Sequence, residues 1–402
     1  MTPSEVNSSG IETYDVVVVG GGPSGATAAT DLARKGRKVL LLDRGGRIKP
    51  CGGAIPPRLM RDFDIPERLL ASRATSARMI APSDAKVDMP IEGGFVGMVD
   101  REVFDEWLRE RAAKAGAHRL TGGFERIERD YNNDAIVFFR EAGDLREQRV
   151  RARMVIGADG ARSQLAKQTI KGGDNVKCVF AYHEIIRAPQ NGAGFDGQRC
   201  DVFYQGGLSP DFYAWIFPHG DTASVGVGSA KKGFSQRSAI KTLRRSTALE
   251  GCETIRREGA PIPMRPLKRW DNGKDIVLAG DAAGVVAPAS GEGIYYAMVG
   301  GRIAADAVEA ALVTGDARAL AKARRAFMKS HGQVFWVLGI LQHFWYRNDQ
   351  RRERFVKMCA DPDVQRLTWE SYLHKRMPRS NPLGQLKVFL KDTAHLLGLA
   401  RV

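Results

Sequence analysis

Residues 14–25 read Tyr-Asp-Val-Val-Val-Val-Gly-Gly-Gly-Pro-Ser-Gly, and their reading decides the fold. Val16 to Val19 is a short β-branched run, the pattern of a strand covered on both faces. Gly20, Gly22 and Gly25 follow at G-x-G-x-x-G spacing. The first permits a tight turn, the second lets the backbone approach a pyrophosphate, and the third lets the next helix pack close to the strand. That helix is expected from about Ser24 to Lys35, closed by Gly36. Its N-terminus offers free amides and the positive end of a dipole. A second strand, Lys38 to Leu42, ends at Asp43, 18 residues beyond Gly25 (43 − 25), where a carboxylate can bind ribose hydroxyls. Strand, helix, strand and acid in this register predict a dinucleotide site.

The chain has 402 residues, 43% of them hydrophobic, enough for two domains or one elaborated domain. Its net charge of +15 suits an anionic lipid surface, a diphosphate or NADPH. No basic-aromatic repeat or compact nucleic-acid motif accompanies the charge, so nucleic acid is not expected as a partner. The five cysteines at 51, 178, 200, 252 and 359 are scattered and contain no C-x-x-C, which argues against a disulfide framework and a zinc site. No metal is expected, and a reducing cytosol fits. Residues 1–13 lack the basic start and apolar core of a secretory signal and are too short for a transit peptide. Val334 to Leu341 is too short an apolar run to span a bilayer.

Beyond Asp43, the run Arg44 to Ala54 holds four glycines and a proline and reads as a loop leaving the carboxyl end of a sheet strand, where ligands bind in such folds. Within it Cys51 precedes Gly52-Gly53. Ala77 to Ile91 reads as two short strands, Val99 to Ala115 as a helix, and Gly123 to Phe139 as a hairpin turning at Asn132-Asn133-Asp134. Arg153 to Ile156 is a strand leading into Gly157-Ala158-Asp159-Gly160. In the strand-rich segment Lys177 to Gly228, alternation puts Tyr213, Trp215 and Phe217 on one sheet face, either as core or as the wall of an apolar pocket. His219 reads as a surface histidine. Ser235 to Arg257 reads as a basic helix. Ile276 to Ala279 is a buried strand ending in Gly280-Asp281, and Gly291 and Gly293 precede a small-residue helix running to about Val313. Everything after Lys322 reads as helical, basic and aromatic.

Three motifs thus stand in fixed order: Gly20 to Gly25, Gly157 to Gly160, and Gly280-Asp281. This resembles the FAD-binding pattern of the aromatic-hydroxylase class of flavoproteins. The resemblance implies FAD, with Asp281 accepting from the ribityl chain, Arg101 on the FAD side chain, and Gly20, Gly22, Gly25, Asp43, Arg44, Asp159, Gly160, Gly291 and Gly293 completing the cofactor site. Two further features, Pro50-Cys51-Gly52-Gly53-Ala54 and Tyr213-x-Trp215-x-Phe217-Pro218 followed by Val225-Gly226, resemble the geranylgeranyl reductases, which saturate isoprenoid double bonds. The tail Asp361 to Met377 and the Asn381-Pro382 segment look like the chlorophyll and bacteriochlorophyll branch.

The fold class implied is α/β: a Rossmann-like FAD-binding domain (1–76, 98–175 and 268–321), an inserted antiparallel-sheet substrate domain (77–97 and 176–267), and a helical C-terminal region (322–402). The activity implied is NADPH-dependent reduction of geranylgeranyl-bacteriochlorophyll or geranylgeranyl diphosphate. Cys51 is the catalytic candidate, and Gly52, Gly53, Tyr213, Trp215 and Phe217 are the substrate wall. An isolated trisubstituted alkene has no carbonyl to polarise it. Its reduction needs a proton donor and stabilisation of tertiary cation character, which aromatic faces provide. The expected setting is a bacterial cytoplasm, with peripheral attachment to an anionic photosynthetic membrane. Competing readings are an aromatic-ring monooxygenase on the same fold and a non-catalytic prenyl-pigment carrier with structural FAD.

Overall fold

The computed structural model describes residues 10–46, 48–190, 192, 194–247 and 249–375. The chain folds into two compact units. The first comprises residues up to Lys49, Arg101–Cys178 and Pro261–Leu338, and the second Pro50–Asp100, Val179–Ala260 and residues from Gly339 on. Residues 50–76 and the last helices therefore sort with the second unit.

The first unit is built on β1 (Thr13–Val19), α1 (Pro23–Arg34), β2 (Val39–Asp43), α2 (Arg101–Lys114), β3 (His118–Arg129), β4 (Ala135–Glu141), β5 (Glu147–Gly157), β6 (Ile276–Leu278) and α3 (Ile294–Thr314). Five strands run parallel in the order β3, β2, β1, β5, β6. Val16–Val19 are 0–2% exposed, as a strand covered on both faces must be. β3 and β5 outrun the parallel sheet, and β4 pairs antiparallel with the overhanging half of each. Asn133 turns the β3–β4 hairpin with a positive φ of 66°.

α1 is held close to its neighbours by missing side chains. A Cβ on Gly25 would stand 1.8 Å from the Gly20 carbonyl oxygen, and one on Gly301 of α3 would stand 2.1 Å from the Ser24 carbonyl oxygen. Thr27 and Thr30 turn their hydroxyls back onto the carbonyls of Pro23 and Ala26, so these polar residues are buried without loss.

The second unit holds a seven-stranded sheet and a three-stranded sheet. In the larger one, Cys178–Arg187, Thr222–Ser229, Ala214–His219 and Arg199–Phe203 are antiparallel neighbours. Ala214, Ile216, Val225 and Val227 face one side, where they form a core with Ala239, Ile240 and Leu243 of the helix Gln236–Ser246. The other side carries the aromatic residues described below.

The helix expected over Ser235 to Arg257 stops at Ser246. Thr254–Pro263 is instead a strand whose alternating exposure is plain once seen. After Lys322 the described chain forms helices Lys322–Trp345, Asp349–Met358 and Pro362–His374. Of the six aromatic residues expected to mark this region, Phe327, Phe335, Trp345 and Tyr346 are buried and Trp336 is 69% exposed. Arg376, Met377, Asn381 and Pro382 lie outside the described residues. Among those described, no helix is long and apolar enough to cross a membrane, and no group of three or more His, Cys, Asp or Glu is arranged to hold a metal.

Candidate active site

The three glycine-containing motifs of the first unit emerge at one edge of its sheet. Gly20 follows β1, Ala158 follows β5 and Gly280 follows β6, all at carboxyl ends. They are stitched together by Gly20 N–H to Leu42 O (2.7 Å), Ala158 N–H to Val19 O (2.7 Å) and Ala279 N–H to Gly157 O (2.9 Å). Strand order reverses between β1 and β5, the place where open α/β sheets bind ligands.

Gly20 takes φ of 106°, and a Cβ there would strike the Ala158 carbonyl at 2.3 Å. Gly22 differs: it caps α1, has no side-chain cap, and a Cβ on it would meet nothing within 4 Å. Open space in front of an uncapped helix N-terminus is what a pyrophosphate requires. Asp43 accepts the Gly21 amide (3.1 Å) on one oxygen and faces Arg109 at 3.4 Å with the other. Arg44 is exposed just beyond β2.

Arg101 is buried at the head of α2 in a bidentate pair with Asp105 (2.8 and 2.7 Å). Asp159 spends its carboxylate locally, accepting from Ser163 Oγ and from the amides of Gln164 (2.8 Å) and Leu165 (3.3 Å), which fixes the loop containing Gly160. Burial pushes the Asp159 carboxyl above the usual carboxylate range.

Asp281 is 8% exposed and pairs with Lys49 Nζ. A Cβ on Gly293, the uncapped N-terminus of α3, would stand 4.0 Å from its carboxylate, and Gly291 turns the preceding loop at φ of 68°. Burial and the Asp281 charge together raise the thiol of Cys178 to about 11. The residues present therefore fit FAD: open space at the Gly22 N-terminus of α1, a carboxylate at the end of β2, and a second carboxylate beside the α3 N-terminus, which has no side-chain cap. Lys49 and Arg109 were missed in the sequence because folding alone brings them to Asp281 and Asp43, whereas Asp105 stands four residues after Arg101 on an expected helix, a signal that was available.

The remaining candidates gather in the second unit. Tyr213, Trp215 and Phe217 share a face, with ring centroids 5.9 Å apart for the first pair and 6.1 Å for the second. A Cβ on Gly52 would stand 2.8 Å from the Phe217 ring, so the Cys51 loop lies directly on the aromatic strand. Gly53 takes φ of 72° and donates its amide to Cys51 Sγ (3.4 Å). Tyr213 stacks on Phe212, and burial first, then Tyr346, with Cys51 and Cys200 after it, raise its phenol. Around Phe217, Met98, Cys200, Trp369, Tyr372 and Leu373 form an apolar cluster.

His219 is not a surface residue. It hydrogen-bonds the Gly52 carbonyl oxygen (3.1 Å), and a Cβ on Gly53 would meet its ring at 2.6 Å. Burial pulls its pKa down to about 4. A carbonyl can only accept, so Nε2 carries the proton and the ring stays neutral at physiological pH. The alternation that placed Tyr213 and Phe217 also places residue 219, and that signal was available.

Residues 13–176 match the family described as FAD binding domain. A geranylgeranyl diphosphate reductase of Rhodobacter capsulatus is 58% identical over 386 residues, covering 96% of this chain and 98% of its own length. One of a Synechocystis species is 36% identical over 400 residues, covering 95% and 97%. In architecture the chain is similar to a geranylgeranyl bacteriochlorophyll reductase-like protein of Thermoplasma acidophilum, with a TM-score of 0.80 at 22% identity over 93% of this chain and 99% of that one. With an FAD-type first unit and near full-length similarity to these reductases, the chain belongs to the geranylgeranyl diphosphate reductase family.

Proposed function

We propose that this protein is an FAD-dependent reductase that uses NADPH to saturate the double bonds of a geranylgeranyl chain, carried as the diphosphate or as the ester of bacteriochlorophyll. The observation that carries the assignment to these residues is the seating of the Cys51-Gly52-Gly53 loop on the ring of Phe217. Bound FAD supplies the two-electron transfer between NADPH and the alkene. Gly22 and the N-terminus of α1 hold its pyrophosphate, Asp43 its ribose, and Asp281 its ribityl chain.

The second unit prepares the alkene. Tyr213, Trp215 and Phe217 keep water away and offer ring faces to developing cation character. Cys51 steers the chain or delivers a proton to the less substituted carbon. His219 does not serve as the acid: its one ring proton is committed to Gly52, and its neutral form holds the loop in place.

The protein works at a membrane surface by the same proposal. Along the helix Lys322–Trp345, Lys322, Arg325 and Lys329 are exposed, and Trp336 (69%) and Ile340 (47%) continue the exposed positions. Each cation near an anionic surface contributes about 1 kcal/mol, and a membrane-soluble prenyl pigment needs such an approach.

The test is anaerobic incubation with NADPH and either substrate, followed by mass analysis of the tails. Gains of two hydrogens per step are expected. In a parallel incubation in air, products that gain oxygen would make the protein a monooxygenase, and a flavin that NADPH cannot bleach would make it a carrier.

A further inference from the structure

Three strands of the second unit place His183, Gly226 and Trp215 in one transverse row, because His183 and Trp215 are both paired with Gly226. The glycine is required. A Cβ there would stand 2.0 Å from Cζ2 and 2.2 Å from Cε2 of the indole, so Trp215 lies across the backbone of Gly226. Its Nε1–H reaches Ser224 Oγ at 3.1 Å. That oxygen is 2.9 Å from His183 Nδ1, and His183 Nε2 is 2.9 Å from Glu258 Oε2. Ser224 is fully buried, and His183 and Trp215 are 3% and 5% exposed.

The direction of this chain follows from what each group can do. The indole N–H only donates, so Ser224 Oγ accepts it. Burial raises the Glu258 carboxyl, but His183 and Arg256 outweigh burial and hold it below the usual range, so it accepts. His183 therefore donates from Nε2, and its Nδ1 meets the Ser224 hydroxyl. Every polar group of the row then has a partner. Serine, histidine and glutamate stand in the order of a hydrolytic triad, but the hydroxyl is sealed from solvent and already receives the indole, so it has no role as a nucleophile.

We infer that the Glu258–His183–Ser224 chain is a positioning device that locks the Trp215 ring flat across Gly226 and thereby sets the shape of the wall against which the alkene is reduced. The catalytic half of this inference rests on the proposed function. The positioning half does not.

The test uses full-length, FAD-loaded Ser224→Ala, His183→Leu and His183→Gln, each also made with Trp215→Phe so that the emission of Trp215 is obtained by difference. Ser224→Ala and His183→Leu should shift that emission. His183→Gln should restore it, because the amide oxygen and nitrogen of glutamine are spaced like the two ring nitrogens. With geranylgeranyl diphosphate, kcat should fall between about tenfold and a hundredfold in the first two, the scale of a small misplacement. Flavin bleaching by NADPH should keep the wild-type rate, and partly reduced tails should accumulate.

An unshifted Trp215 signal in Ser224→Ala overturns the positioning claim whatever the activity. A shifted signal with wild-type kcat, KM and tail pattern overturns its link to catalysis. The histidine pair decides independently if Ser224→Ala does not fold. Failure of the unaltered protein to reduce any tail refutes the proposed function instead, and the emission measurements still decide the geometry.

Discussion

Lys49 and Asp281 form an ion pair although 232 positions separate them in sequence. The pair ties the glycine-rich loop after β2 to the turn after β6, so a buried carboxylate of the cofactor site has a cation of its own. Removing the carboxylate should cost a charge-assisted hydrogen bond to the cofactor, about 1.5–3 kcal/mol. Asp281→Ala is therefore expected to bind FAD roughly ten- to a hundredfold more weakly, read as the Kd for FAD added back to apoprotein. Full flavin occupancy in the purified variant would contradict the assignment.

Two glycines of one motif should fail in opposite ways. Gly22→Ala adds a methyl to open space at a φ of −72°, so the apoprotein should keep its melting temperature while FAD affinity drops, and Gly22→Val should drop it further. Gly25→Ala drives a Cβ into the Gly20 carbonyl and should yield unstable or insoluble protein. Equal thermal stability of the two variants would mean that α1 is seated differently.

His219 gives the fold an acid-side weakness. Its pKa of about 4 lies below the ordinary histidine value near 6.5. The unfolded chain therefore takes up a proton before the folded one, and stability falls as pH drops from about 6.5 to about 4, by on the order of 3 kcal/mol. Above pH 6.5 this contribution is fully present. Denaturant titrations at pH 7 and pH 4.5 should show a larger loss in the wild type than in His219→Gln, and identical losses would refute the linkage.

Cys51→Ala and Trp215→Ala should retain FAD and bleach with NADPH at the wild-type rate, since both residues lie outside the cofactor unit. They should nevertheless stall or release partly reduced tails. Mass analysis at two-hydrogen steps checks this, and a wild-type pattern from Cys51→Ala would reduce Cys51 to a turn residue.

For the membrane, Trp336→Ser combined with Ile340→Ser should lower co-sedimentation with anionic liposomes at low salt and leave turnover on detergent-dispersed substrate unchanged. Equal sedimentation of the variant and wild type would remove this helix from the interface.

What could be read in the sequence had local signals. Val16–Val19, the G-x-G-x-x-G spacing and the paired strand ends are short-range patterns, and they sufficed for the parallel sheet and the placement of Asp43 and Asp281. The aromatic face was legible because alternation along Tyr213 to Phe217 is local too. The helix reading of Ser235 to Arg257 overran because Arg244, Arg245, Arg256 and Arg257 give one basic impression across a turn at Gly251. In fact Ser246 ends the helix, and Thr254 begins a strand alternation. Lys49, Arg109 and the Glu258–His183–Ser224 chain were illegible for a different reason. Each has meaning only through a partner supplied by another strand or loop.

The assembly of the cofactor edge also sets a timetable for biosynthesis. Gly20 and Gly22 leave the ribosome early, but α1 cannot be clamped until Gly280 and Gly301 arrive beside Ser24. During much of translation β5 must wait with the edge that β6 will pair uncovered, and α1 with the flank that Gly280 and Gly301 will cover. Long-range closure of this kind is slow and leaves unpaired strand edges exposed to wrong partners. FAD supplied to nascent chains cut before residue 276 should not be retained, whereas chains extended past α3 should capture it. The cofactor would then act as the latch on a domain whose two halves are made several seconds apart.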